Sequence, residues 1–146
     1  MFRRLPLILS LAVLATIGAI QPAEAYTETT WEHTVAVHVN HYDRLPRGIP
    51  AVRTNLNLSS IAHAHSAAMA RAQVLKHSTN LGSLVRGWTT LGENVGVGMS
   101  LSDINRAFMA SRSHRDNILC RCYRQFGTGV VRDTHGRYWV TQVFFG

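Results

Sequence analysis

Past its first thirty residues the chain shows apolar positions at helical spacing: Trp31, Val35, His38, Val39 and Tyr42 fall three or four apart and predict a first helix. Residues 26–30 carry no such pattern and read as a frayed start. Pro46, Gly48 and Pro50 end the helix. A second helix is predicted from about Ser60 to Lys76, capped by Ser59 or Ser60. Its apolar stripe is Ile61, Ala64, Ala68, Met69, Ala72 and Leu75. Residues 77–90 read as a polar loop anchored by Trp88, and Gly92, Gly96 and Gly98 punctuate a tight segment around Glu93. Ser100 or Ser102 caps a third helix, with Ile104, Ala107 and Phe108 on one face, ending near Ser111. His114–Leu119 forms a further turn or short helix. Phe126–Arg132 and Tyr138–Phe145 predict two strands, joined by the hairpin signal Asp133-Thr134-His135-Gly136. Helices first and strands last make an α+β fold with an antiparallel sheet.

The segment ahead of this pattern has a different character. Arg3 and Arg4 precede a run from Leu5 to Ile20 that is apolar except for Pro6, Ser10, Thr16 and Gly18. Ala23-Glu24-Ala25 then has small residues where a signal peptidase reads them. The run is shorter than the roughly 20 residues that span a bilayer. A signal peptide over residues 1–25 is therefore expected, with a retained N-terminal anchor as the alternative. The product would be one secreted domain without a transmembrane segment.

Charge and cysteine content narrow the chemistry. Of the formal net charge of +7, Arg3 and Arg4 supply two positives and Glu24 one negative, so cleavage leaves +6. Lys76 is the only lysine in the chain. Basic surfaces attract polyanions such as lipid head groups or anionic cell-envelope polymers; solubility alone is the simpler explanation. No basic run or zinc-finger spacing points to specific nucleic acid binding. Export permits a disulfide between Cys120 and Cys122. Two free thiols, an interchain pair or half a metal site are the alternatives.

Glu93 is the only glutamate after Glu32, and it sits among glycines beside Asn94. A buried carboxylate there needs a donor, a cation or a metal. It either fixes the turn or does chemistry. Of eight histidines, His38 reads as packed in the core and His135 as a turn residue. His63 and His65, two apart, face different ways. His77 ends the second helix, where the dipole favours a cation. His114 follows a chain reversal. No Gly-x-Ser-x-Gly elbow, His-Glu-x-x-His motif or phosphate-binding loop occurs.

Several strings resemble one family. Val39-Asn40-His41-Tyr42-Asp43-Arg44 with Gly48-Ile49-Pro50-Ala51-Val52, then His65–Ala70 with Leu75-Lys76-His77-Ser78, Gly92-Glu93-Asn94-Val95-Gly96, Phe108–Leu119 and Tyr138–Phe144 are similar, in order, to the CAP superfamily. That family comprises cysteine-rich secretory proteins, antigen 5 and pathogenesis-related 1, and the Phe108–Leu119 string looks like its bacterial SCP branch. The resemblance spans residues 34–146, leaving 26–33 as an N-terminal extension. It implies a three-layer α-β-α sandwich around a central antiparallel sheet, with a cleft lined by two histidines and two acids that often holds a divalent metal. His77, Glu93 and His114 match three of those positions and are the implied zinc ligands. The last strand lacks the family's histidine, and the second acid has no equivalent, Asn105 and Ser111 being what the third helix offers. Asn94, Arg115, Asn117 and Gln142 are expected to be structural. The resemblance implies a non-enzymatic extracellular module that binds a lipid, a sterol-like or other small apolar molecule, or a metal. A metal-dependent hydrolase is the competing expectation, and a basic envelope-adhesion protein is a third.

Overall fold

The computed structural model describes residues 26–146, so the expected signal peptide lies outside the described residues. Helix α1 (Thr30–His38) runs into a π-helical turn (Val39–Arg44) and a 3₁₀ turn (Leu45–Arg47) that Gly48 ends in the left-handed region. Then follow β1 (Arg53–Thr54), α2 (Leu56–Ala72), α3 (Leu81–Leu84), β2 (Leu91–Gly98), α4 (Leu101–Ala110), α5 (Arg112–Leu119), β3 (Gln125–Arg132) and β4 (Tyr138–Phe145). The sheet order is β1-β3-β4-β2. β3–β4 and β4–β2 are antiparallel, while the two-residue β1 adds itself parallel to β3. Among the described residues no helix is long and apolar enough to cross a membrane.

Alternation along β4 sorts the core into two layers. Val140 and Phe144 point to one face and meet Val35 and Val39 of the first helical segment, Ile104 and Phe108 of α4, and Ile118 of α5. Trp139 and Val143 point to the other face and meet α2 through Met69, Ala62 and Leu58. The result is the α-β-α sandwich expected from the sequence.

The second helix departs from its predicted form. It begins at Leu56, where Asn55 accepts the N–H groups of Asn57 and Leu58, and ends at Ala72, with Gln73 in the left-handed region at φ 55°. Its buried face is Leu58, Ser59, Ala62, Ser66, Met69 and Ala70, whereas Ala64, Ala72 and Leu75 are exposed. The reason lies in β3. A Cβ on Gly129 would lie 2.0 Å from the backbone nitrogen of His63, and one on Gly127 would lie 2.3 Å from the Leu58–Ser59 peptide. α2 therefore rests backbone-close on the sheet, where only small side chains fit. Serine suits that position because its hydroxyl bonds to the sheet: Ser66 Oγ donates to Gly129 O at 2.9 Å, and Ser59 Oγ accepts from Thr128 N at 3.3 Å.

Three further expectations change. The glycine-punctuated segment is a strand, β2, because Gly92, Gly96 and Gly98 make room for neighbours rather than turns. A Cβ on Gly96 would meet Phe108 at 2.8 Å and Ile104 at 2.9 Å. Trp88 does not anchor the core; it is 44% exposed and donates its indole N–H to Gly82 O. The chain before α1 is built in rather than frayed, since Thr29 and Glu32 form a reciprocal capping box. Glu32 itself is fully buried, accepting Val130 N at 3.1 Å and lying 2.8 Å from His63 Nδ1. Burial alone would raise its pKa, but the donors around it, led by the Thr29 N–H, outweigh burial and hold it below the usual carboxylate range.

Candidate functional site

His77 is not at a helix end. Four residues beyond the Gln73 turn, it lies on the loop leading to α3, so no helix dipole acts on it. That loop is pinned by β2. Glu93 Oε1 lies 2.8 Å from His77 Nδ1 and accepts Ser78 N at 2.9 Å, while Oε2 accepts the Ser78 hydroxyl at 2.5 Å. The Glu93 side chain is 8% exposed and that of His77 61% exposed. Glu93 thus fixes the loop carrying His77 and Ser78 rather than a turn of its own segment, and it orients the histidine. With Nδ1 engaged by the carboxylate, Nε2 is the ring nitrogen left for a ligand.

His114, near the start of α5, is held by Ser111 Oγ at 2.8 Å from its Nδ1 and lies against the Phe108 ring, centroids 5.1 Å apart. Burial lowers its pKa, and the nearby His77 lowers it further. A groove of ≈ 230 Å³ opens beside His114, bounded by Leu75, Val97 and Ala107. Of the three implied ligands, the structure joins His77 and Glu93 directly and sets His114 within electrostatic reach. Among the described residues, no three His, Cys, Asp or Glu side chains are gathered around one point suited to a metal ion.

The amides expected to be structural form a continuous chain beneath these groups. Asn94 Nδ2 donates to His114 O and to Gln142 Oε1, and Asn117 Nδ2 donates to Asn94 Oδ1 and Glu93 O. Arg115 donates to Met109 O and ties α5 to α4. Cys120 and Cys122 are joined by a disulfide.

The chain of amides ends in a cavity that sequence reasoning did not find. It lies between α1 and α4 over the sheet, has a volume of ≈ 130 Å³, and is lined by Val35, Leu101, Ile104, Phe108 and Val140. His38, Asn105 and Gln142 give it a polar side. His38 is half-buried at its wall rather than packed in the core. Asn105 is 9% exposed; its Nδ2 donates to Asp43 Oδ2 at 3.2 Å, and its Oδ1 has no partner. The only sequence signal for this site was the amphipathic face of α4.

A three-layer sandwich with a histidine and a Gly-Glu-Asn glutamate meeting at the sheet edge defines a CAP-type domain. The model of the cysteine-rich secretory protein family, CAP, matches residues 38–144, and the chain belongs to that family. An extracellular protein containing an SCP domain from Bacillus anthracis is similar in structure, with a TM-score of 0.68 and 19% identity over 79% of this chain and 40% of its own. A cysteine-rich secretory protein from Staphylococcus aureus superposes with a TM-score of 0.68 and 20% identity over 85% of this chain and 40% of its own. An outer surface protein from Borrelia burgdorferi reaches a TM-score of 0.70 at 11% identity, covering 77% of this chain and 90% of its own. The chain thus spans well under half of the Bacillus and Staphylococcus chains. No curated protein matches it by sequence.

Proposed function

We propose that this is a secreted, non-enzymatic CAP module that binds a small apolar ligand in the cavity between α1 and α4. The observation that carries this reading is a cavity with five apolar walls and a polar end at Gln142 and Asn105. Its ≈ 130 Å³ suits the end of an acyl chain or a single ring better than the fused rings of a sterol. Asn105 Oδ1, buried without a partner, would gain one from a ligand hydroxyl or a protonated carboxyl group. Secretion is supported by the leader-like pattern of residues 1–25 and by the extracellular description of the Bacillus relative. The test is displacement of a fluorescent fatty acid. The wild-type chain should bind it, and Thr34→Trp, at the exposed rim, should abolish binding while leaving the circular dichroism unchanged. Equal binding by both proteins would overturn the assignment.

A metal at the cleft is a second reading, favoured by the His77–Glu93 geometry. Metal-bound histidines commonly hold their other nitrogen against a carboxylate, as His77 does. His77 and His114 would hold a zinc ion through Nε2, and Glu93 would orient His77 rather than ligate. The ion would supply Lewis-acid polarisation of water. With Glu93 committed to His77 and Ser78, two protein ligands remain, one fewer than an open catalytic zinc site uses. A hydrolase therefore ranks below a binding module. Zinc titration followed by calorimetry tests the metal reading: loss of binding in His77→Ala with His114→Ala supports it, and no heat from the wild type sinks it.

A further inference from the structure

The folded surface is more basic than the composition suggests. Glu32, Asp43, Glu93 and Asp133 turn inward, each no more than 8% exposed. Among the described residues, only Asp103 and Asp116 project far into solvent, with side chains 57% and 67% exposed and each beside an arginine. Ten arginines and lysines, by contrast, are exposed.

Four of them gather at one end of the sheet. Arg121 Nη2 donates to Gly48 O at 2.7 Å, bringing the disulfide loop against the turn that carries Arg47. Arg53 N donates to Arg124 O at 2.9 Å, where β1 joins β3. Arg47, Arg53, Arg121 and Arg124, about seventy positions apart in two segments, thereby share one edge. None makes an ion pair among the described residues, and the guanidinium groups of Arg53 and Arg124 make no hydrogen bond either. The nearby carboxylate of Asp43 is buried against Asn105. Beneath them lies Arg44, 1% exposed, whose guanidinium is held by the carbonyls of Pro50, Ile118 and Cys120 and by no carboxylate. A buried cation without a counter-ion adds to the positive potential of that edge. Large apolar side chains accompany the charge: Leu45 is 46% and Tyr42 66% exposed. Leu45 and Arg47 share one 3₁₀ turn, and Arg47 caps Tyr42 O.

We propose that this edge docks the protein on an anionic lipid surface, the arginines meeting phosphate head groups while Leu45 and Tyr42 enter the interface. Guanidinium groups match phosphate oxygens in pairs, and exposed apolar residues beside them favour a bilayer over a fully hydrated polyanion. None of the four arginines lines the cavity or the cleft, so the charge contribution is tested apart from either ligand reading, whereas Tyr42 packs on His38 at the cavity wall with ring centroids 5.0 Å apart.

The experiment is co-sedimentation of the folded chain with phosphatidylcholine vesicles, with and without about 30 mol % phosphatidylglycerol, at low and high salt. Binding should require phosphatidylglycerol and weaken with salt. Each arginine near such a surface contributes roughly fivefold, so Arg53→Gln with Arg124→Gln should lower partitioning about 25-fold. The lysine pair at the same positions should retain most of the binding, which separates lost charge from lost fold. Arg71→Gln with Arg132→Gln makes the same charge change near the other end of β3, roughly 23 Å away, and should leave partitioning within about twofold. Equal losses from the two glutamine pairs, no dependence on phosphatidylglycerol, or binding to soluble polyphosphate but not to vesicles would each overturn the proposal.

Discussion

Nδ1 of His77 and Oε1 of Glu93 stand 2.8 Å apart, joining a loop after α2 to the edge strand β2 across sixteen positions of sequence. The same carboxylate also receives both the amide and the hydroxyl of Ser78. Glu93→Ala should leave those three donors without their shared acceptor. A cost of about 2 kcal/mol is expected, since the donors can be rehydrated only in part. Urea denaturation gives the cost, and hydrogen exchange at the Ser78 amide should accelerate in the variant. An unchanged exchange rate would mean that the loop is held by something else.

Gly129 lies under α2, and a Cβ there would meet the backbone of His63 at 2.0 Å and that of Ala62 at 2.2 Å. No rotamer can relieve a clash with backbone. Gly129→Ala should therefore cost about 3 kcal/mol or more, forcing α2 off the sheet. Gly136, at φ 82° in the exposed hairpin, has room for a Cβ, with Arg132 Nη2 nearest at 3.5 Å. Gly136→Ala should cost only about 1 kcal/mol, from backbone strain. Thermal melts of the two variants measure the difference, and equal melting temperatures would contradict the close approach of helix and sheet.

These glycines explain what the amino-acid pattern revealed and what it concealed. β3 and β4 were legible because Phe126–Arg132 and Tyr138–Phe145 are rich in β-formers and flank a turn signal. α4 was legible because Ser100 caps Asp103 N and Ile104 and Phe108 share a face. β2 was not, because glycines that accommodate neighbouring side chains look like glycines that turn. The buried face of α2 was missed because Ser59 and Ser66 count as polar until the backbone they bond to is known. Glu93 and His77 could be named from their motifs, but their contact depends on a loop geometry that no spacing encodes. Glu32 was overlooked although Thr29 and Glu32 stand at capping-box spacing, a signal readable beforehand. The α1–α4 cavity arises from segments about seventy positions apart, and nothing local announces it.

Asp43 and Asn105 form an imperfect pair. The carboxylate is 5% exposed, and burial lifts its pKa above the usual range, against a partial opposing effect from the Asn105 amide. An acid with a raised folded pKa favours the fold most when protonated, and that contribution is lost as pH rises through the folded value. Asp43→Asn removes the charge and offers an N–H to the unpartnered Asn105 Oδ1. The variant should be more stable than wild type near neutral pH by about 1 kcal/mol. The gap should close in acid, where Asp43 is already protonated. Melting temperatures across the pH range decide it, and a variant less stable at every pH would refute the argument.

Glu32 works in the opposite sense. Although fully buried, it is held as a carboxylate by Thr29 N, Val130 N and the His63 imidazole, and its pKa is lowered. An acid with a depressed folded pKa contributes stability that is complete above its unfolded value, about 4.3, and is lost as pH falls through the lower folded value. Glu32 should thus account for part of the acid limb of the stability curve. Glu32→Gln keeps the shape and one acceptor, but it puts an amide opposite donors that require an anion. It should destabilise the fold near neutral pH by about 2 kcal/mol and flatten the decline in stability below about pH 4. The two effects share one cause and must appear together. A neutral-pH loss with an undiminished acid slope would assign the residue a packing role only. His63→Ala separates the partners further: it removes a donor yet leaves Thr29 N and Val130 N, so it should cost less than Glu32→Gln and keep most of the acid slope.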